Sequence, residues 1–251
     1  MCTVVLLRRP GHEWPLLLAA NRDERIDRPW DPPARHWPDR DEVRAGRDRE
    51  AGGTWLGLND HGVVAAILNR SGSLGPEAGK RSRGELPLEA LDHAEARAAA
   101  DALAGLDAGA YRSFNLVIAD NRDAFWIKGE GVGQVEVVPA PDGVSVFTAH
   151  DLNDVRASAR ARWYLPAFEA AAAPDPAAGD WAAWETLLGS SEKAPGESDP
   201  NAAIHVETDW GFGTVSSSLI GLPAPGARAT PPVWRFASAW PTRATFTTVA
   251  S

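Results

Sequence analysis

Sulfur is scarce in this chain, with one cysteine and one methionine among 251 residues. A single cysteine excludes an intrachain disulfide and any zinc site built on several thiolates. Lysine is almost missing too, occurring only at Lys80, Lys128 and Lys193, so arginine supplies 22 of the 25 cations. With abundant Ala, Asp and Gly, that bias reads as GC-rich bacterial coding and strips arginine content of functional meaning. No apolar run approaches the ~18 to 20 residues of a spanning helix. The opening segment lacks a basic stretch followed by a long apolar one, which predicts no secretory or transit signal and a cytoplasmic location. No Gly-x-Gly-x-x-Gly follows a strand pattern, no Walker-type Gly-Lys-Ser occurs, and the six histidines show no His-Glu-x-x-His spacing. No metal and no cofactor is therefore expected. A net charge of −9 argues against nucleic acid as a partner, because neutralising phosphates needs clustered cations.

What is present is an ordinary globular composition, 44% hydrophobic and 24% charged. The length allows one large domain or two small ones. Residues 3–7 and 16–20 are short apolar runs bounded by Pro, Gly and charge, and predict buried strands joined at Pro10-Gly11. Residues 22–50, rich in Arg, Asp and Pro, predict a long surface loop. Residues 53–69 predict a hairpin broken at Asn59-Asp60-His61-Gly62. Residues 86–104 carry apolar residues near a 3.6 period and predict a helix, followed by a meander of strands at 114–119, 124–128, 134–138 and 144–149. Helices are expected at 154–172 and 180–189, then strands at 203–207, 214–220, 233–237 and 244–249. Hairpins outnumber any strand-helix-strand pattern, so antiparallel sheets covered by helices are expected.

Three groups could carry chemistry. Cys2 would be the first residue once Met1 is removed; its thiol and its own α-amine then form a nucleophile and base on one residue. The alternative is a small, inert core cysteine. Asn21-Arg22-Asp23-Glu24 follows the second apolar strand, where a carboxylate could orient that amine or the four residues could form a solvated turn with Arg22 paired to Glu24. Asn69, at the end of the hairpin, could donate to a developing oxyanion or open a turn.

Met1-Cys2, Asn21-Arg22-Asp23-Glu24, Arg28-Pro29, Gly53-Thr54-Trp55-Leu56-Gly57, Leu68-Asn69-Arg70, Ser82-Arg83-Gly84 and Phe212-Gly213-Thr214 stand in the order seen in the NRDE family, also called the transport-and-Golgi-organisation family. The chain resembles that family over most of its length. The family in turn resembles the N-terminal-nucleophile hydrolases of the choloylglycine hydrolase and penicillin acylase group. The resemblance implies an α+β fold, a four-layer αββα sandwich of two antiparallel sheets flanked by helices, as one domain over residues 1–251. It implies Cys2 as nucleophile, Asp23 as orienter of the amine and Asn69 as oxyanion donor. This chain departs from those hydrolases at Ala20, where they carry Arg, and at Ala149-His150, where they carry Asn after Thr. Val215 stands where the NRDE pattern has Arg.

Arg156, Arg160 and Arg162 read as a solvated helix face. His150 with Asp151 could line a site or form a surface turn. Of the 11 tryptophans, Trp55 is placed to line a pocket, while Trp14, Trp30 and Trp37 are expected to pack loops. Gly53-Thr54-Trp55 and Asn21-Arg22-Asp23-Glu24 show no evident packing purpose in the sequence. Asn21, Arg22, Glu24, Trp55, Arg70, Arg83 and His150 count as candidate binding residues, which leaves a purely structural domain the weakest reading. The leading one is cleavage of a non-peptide amide C–N bond through a thioester. The other is a non-catalytic binding or transfer protein for haem or a lipid or acyl-CoA ligand on the same fold. Either takes a small molecule as partner.

Overall fold

The computed structural model describes residues 2–226, 230–238 and 245–250. In chain order the first strands are β1 (Thr3–Arg8), β2 (Leu16–Arg25), β3 (Trp30–Ala34), β4 (Val43–Asp48), β5 (Leu56–Asn59) and β6 (Val64–Asn69). Helices α1 (Leu86–Leu91) and α2 (Ala96–Leu103) precede β7 (Phe114–Ala119), β8 (Ala124–Gly129), β9 (Glu136–Pro139) and β10 (Gly143–Phe147). Then come α3 (Ala159–Ala170), α4 (Ala182–Leu188), β11 (Phe212–Leu222), β12 (Val233–Ser238) and β13 (Thr247–Thr248). The chain divides into two compact units, one formed by the residues up to Arg28 with Pro141–Val249, the other by Pro29–Ala140. Each holds one antiparallel sheet and two of these helices, so the fold is α+β as expected. Among the described residues no helix is long and apolar enough to cross a membrane.

In the first unit the strands lie in the order β10-β1-β2-β11-β12-β13. Val5, Leu17, Ala19 and Leu219 join Trp14, Tyr164, Phe168, Trp181 and Trp184 in the core beneath α3 and α4. Leu6, Leu18 and Ile220 alternate with them and are buried as well. Strands buried on both faces read as unbroken apolar runs, which is why β1 and β2 were visible in the sequence. Helix α3 starts later than expected because the Asp154 carboxylate holds the amides of Arg156 and Ala157 in a turn, and Ser158 then caps Ala161 at 3.0 Å. The segment 203–207 is not a strand. Its Ile204 carbonyl and His205 amide are taken by the Asn21 side chain and the Ser190 carbonyl, leaving a single bridge between Glu207 and Gly213. Of the strand expected at 244–249, Thr247 and Thr248 pair with β12, and residue 244 lies outside the described residues.

The second unit is a seven-stranded meander, β3 through β9 in sequence order, with α1 and α2 packed over Ala65, Phe114, Leu116, Ile118, Phe125 and Ile127. The loop expected at 22–50 is instead the end of β2 followed by β3 and β4. Pro32 and Pro33 are compatible with β3 because it is an edge strand, and pairing is irregular between Asp31 and Ala34 where they fall. Charge and proline hid the pattern, yet both are usual on sheet edges. The helix expected over 86–104 is two helices. Asn59 holds the break, donating to the carbonyls of Leu91 and His93 at 2.8 and 2.7 Å, while the Asp120 carboxylate caps α2 at Ala96. The same Asn59 oxygen accepts from His61 and Val63 and so closes the hairpin turn.

The run Gly53-Thr54-Trp55 does have a packing purpose, contrary to the sequence reading. Gly53 abuts Gly84 so closely that a Cβ there would lie 2.4 Å from the Gly84 carbonyl, and Thr54 donates its amide to that carbonyl. The Trp55 indole covers Gly46 and meets Trp30 edge to face at 5.7 Å. Gly53→Ala must therefore push two backbones apart, and its melting temperature is expected to fall by several degrees, for a loss of about 1–3 kcal/mol. Asn59→Ala orphans the buried Leu91 carbonyl, the partly buried His93 carbonyl and the turn amides, and is expected to cost on the order of 3 kcal/mol in denaturant unfolding. A neutral result for either would show that the backbone relaxes at no cost.

Candidate active site

The tetrapeptide Asn21-Arg22-Asp23-Glu24 is not a solvated turn. It continues β2, and its first three residues are buried. Alternation puts Asn21 and Asp23 on one face and Arg22 and Glu24 on the other. Asn21 is fully committed to the fold: its amide donates to the carbonyls of Leu188 and Ile204, both at 2.9 Å, and its oxygen accepts from Ser217 at 2.6 Å.

Asp23 is held at both oxygens. Thr214 donates to Oδ1 at 2.6 Å and Arg160 Nη1 donates to Oδ2 at 3.0 Å. Arg160 Nη1 also donates to Thr3 Oγ1 at 2.6 Å, and its Nε donates to the Asn201 carbonyl at 3.0 Å. All of Thr3, Asp23, Arg160 and Thr214 are buried. Thr214 reaches the carboxylate because β11 pairs with β2 through a bulge between Thr214 and Ser216, which re-aims the strand there. Val215, where the NRDE pattern has Arg, is the buried residue inside that bulge. The guanidinium at this site comes from α3 instead.

Cys2 precedes β1, half-buried, with Sγ 3.6 Å from the Asp23 carbonyl oxygen. Burial pushes its thiol above the ordinary range, the Asp23 charge pushes the same way, and Arg22 pulls against them. Glu24 lies 3.9 Å from Arg22 and 3.8 Å from Arg28. His150 follows β10, which pairs with β1 at Val4, and its amide bonds Thr148 Oγ1 at 3.3 Å. Thus Cys2, Asn21, Arg22, Asp23, Glu24 and His150 belong to one unit.

Asn69, Trp55, Arg70 and Arg83 belong to the other. Asn69 ends β6 opposite Phe114. Arg70 donates to Asn115 at 2.8 Å, an oxygen shared with the Trp126 indole. Arg83 donates to the carbonyls of Ser73 and Ser113 at 2.8 and 3.0 Å and so fastens the loop after β6. Among the described residues no group of three His, Cys, Asp or Glu side chains could hold a metal ion.

Sequence reasoning missed Arg160. It was grouped with Arg156 and Arg162 as a solvated face, but its side chain is 3% exposed. The signal was there: Arg160, Ala161, Tyr164 and Phe168 fall at helical spacing on the buried face of α3. A charged residue on such a stripe has to meet a countercharge.

Several solved structures share this fold. An N-acylethanolamine-hydrolyzing acid amidase ortholog from Caenorhabditis elegans matches with a TM-score of 0.55 at 12% identity, over 91% of this chain and 96% of that one. Penicillin V acylase from Agrobacterium tumefaciens matches at 0.55 and 14%, over 99% and 86%. The C2A mutant of a conjugated bile acid hydrolase from Clostridium perfringens matches at 0.55 and 12%, over 99% and 92%. At these identities the likeness speaks for the fold alone. In sequence, the chain is 37% identical over 110 residues to the Transport and Golgi organization protein 2 homolog of Bos taurus, and 36% identical to that of Homo sapiens. Each match spans 42% of this chain and 38% of the relative's length. The model of the family Transport and Golgi organisation 2 matches residues 1–163, and the chain belongs to that family.

Proposed function

We propose that this chain is an amidohydrolase acting on a non-peptide C–N amide bond, with Cys2, freed of Met1, as its nucleophile. The observation that carries the reading is the Cys2 thiol beside Asp23, whose carboxylate is buried and held at both oxygens. The solved proteins of this fold are named as an amidase, an acylase and a hydrolase, which supports the reaction class.

In this mechanism the liberated α-amine of Cys2, oriented by Asp23, takes the thiol proton. The thiolate attacks the amide carbonyl carbon and the C=O electron pair moves onto oxygen. The oxyanion collapses, the C–N bond breaks, and the ammonium returns its proton to the leaving amine. Water, deprotonated by the same amine, attacks the thioester; the acid departs and the thiol is restored. The family resemblance assigns the oxyanion donor to Asn69, whose loss in Asn69→Ala would lower kcat by about 10²–10³-fold. A cytoplasmic location would keep the single thiol reduced.

A second reading has one observation in its favour. A thiol pushed up by burial is a poor nucleophile, which suits a binding or transfer protein for haem, a lipid or an acyl-CoA ligand. Ala20 and Val215, at positions polar in related proteins, point the same way. Ligand uptake that survives complete alkylation of Cys2 would establish it.

The two readings separate at the N-terminus. Intact mass is expected to show Met1 removed. The processed protein is then expected to be alkylated by iodoacetamide at pH 7 about tenfold faster than a form kept extended at its N-terminus, where the raised thiol has no amine base and alkylation climbs only at higher pH. Retention of Met1, or equal rates for the two forms, would sink the hydrolase.

A further inference from the structure

Asp23 poses a difficulty for any mechanism that uses the amine of Cys2 as a base. A lone carboxylate within ~4–6 Å of an amine favours the ammonium, raising the amine's pKa by about 1–3 units. An ammonium cannot accept the thiol proton. A site that needs Asp23 for orientation must therefore cancel part of its charge.

Resting on the reading above, we infer that Arg160 is a positioning residue that holds the Asp23 carboxylate and offsets its charge, so that Asp23 orients the Cys2 amine without trapping it as an ammonium. The contacts suit that role. The guanidinium presents a planar fork of fixed donors that matches a carboxylate. It spends Nη1 on Asp23 Oδ2 and on Thr3, the residue next to Cys2, and anchors Nε on the Asn201 carbonyl. Thr214 fixes the other oxygen, so the carboxylate cannot rotate away. The charge lies on the same face of β2 as Asp23. Arg22, its neighbour in sequence, projects from the opposite face and lies near Glu24.

Other titratable groups stand on or next to the elements that carry the site. Arg22 and Glu24 sit on β2 beside Asp23, and His150 follows β10. His205 and Glu207, ahead of β11, lie 3.2 Å apart. Arg160 donates a hydrogen bond to the Asp23 carboxylate. No covalent step is added; Arg160 touches neither substrate nor sulfur and acts through Asp23.

The test follows the opposite signs of the two charges. The rate of Cys2 alkylation by iodoacetamide is measured from pH 5 to 10 on the processed protein, for wild type, Asp23→Asn, Arg160→Gln, Arg160→Lys and the double variant Asp23→Asn/Arg160→Gln. The amine and thiol titrate as a coupled pair, so the midpoint belongs to both. Arg160→Gln is expected to raise that midpoint by about 1–2 units, Asp23→Asn to lower it, and Arg160→Lys to restore most of the wild-type value. Loosening of the fold alone would move both single variants the same way, toward a free aminothiol. If Arg160→Gln unfolds, Arg160→Lys and the double variant carry the test: near-wild-type midpoints support the inference, and a large shift in Arg160→Lys overturns it. A folded Arg160→Gln with the wild-type midpoint reduces Arg160 to scaffolding while leaving Cys2 as nucleophile. Wild type that keeps Met1 removes the hydrolase reading, and this inference with it.

Discussion

The ion pair between Asp23 and Arg160 is the interaction on which the first unit is organised. Both groups are out of water, and burying two charges costs several kcal/mol per ion unless hydrogen bonds occupy the remaining valences. Here they do: Thr214, Thr3 and the Asn201 carbonyl complete the set. The pair ties the end of β2 to the first turn of α3 and, through Thr214, to the start of β11. Losing one partner strands the other in a buried setting, so the arrangement is all or nothing.

Asn21-Arg22-Asp23-Glu24 is two interleaved pairs. Asn21 is consumed by Leu188, Ile204 and Ser217 and closes the sheet under α4, while Asp23 meets Arg160 and Thr214. In the second unit, Gly53 and Gly84, 31 residues apart, let two backbones touch, and Arg83 fastens a loop. Short motifs of this family thus record folding as much as chemistry.

Much of this architecture was legible in the sequence. β1, β2 and β7 to β9 showed themselves through apolar runs bounded by turn residues, whereas β10, expected as the fourth strand of that meander, pairs with β1 in the other sheet. Cys2, Asn21 and Asp23 drew notice through their place beside strands. β3 stayed hidden because proline and charge are what an edge strand carries, and the interior strand β4 because its Arg44, Arg47 and Asp48 break the apolar pattern, so composition imitated a loop. The split between α1 and α2 was invisible because Asn59 and Asp120, which hold it open, lie far away in sequence. Arg160 escaped for a similar reason. Its countercharge is 137 residues away, and nothing local distinguishes it from Arg156 or Arg162 except the stripe of buried positions it shares.

The first unit is discontinuous: residues 29–140 fold between its two halves. During synthesis, then, the whole second sheet emerges before Arg160 does, and Thr214 follows 191 residues behind Asp23. A nascent chain would hold its carboxylate without either partner for most of translation, at ~5–20 residues per second. The surroundings of Cys2 are accordingly among the last to be assembled, and a polypeptide truncated before α3 would carry the sulfur but not the pair beside it.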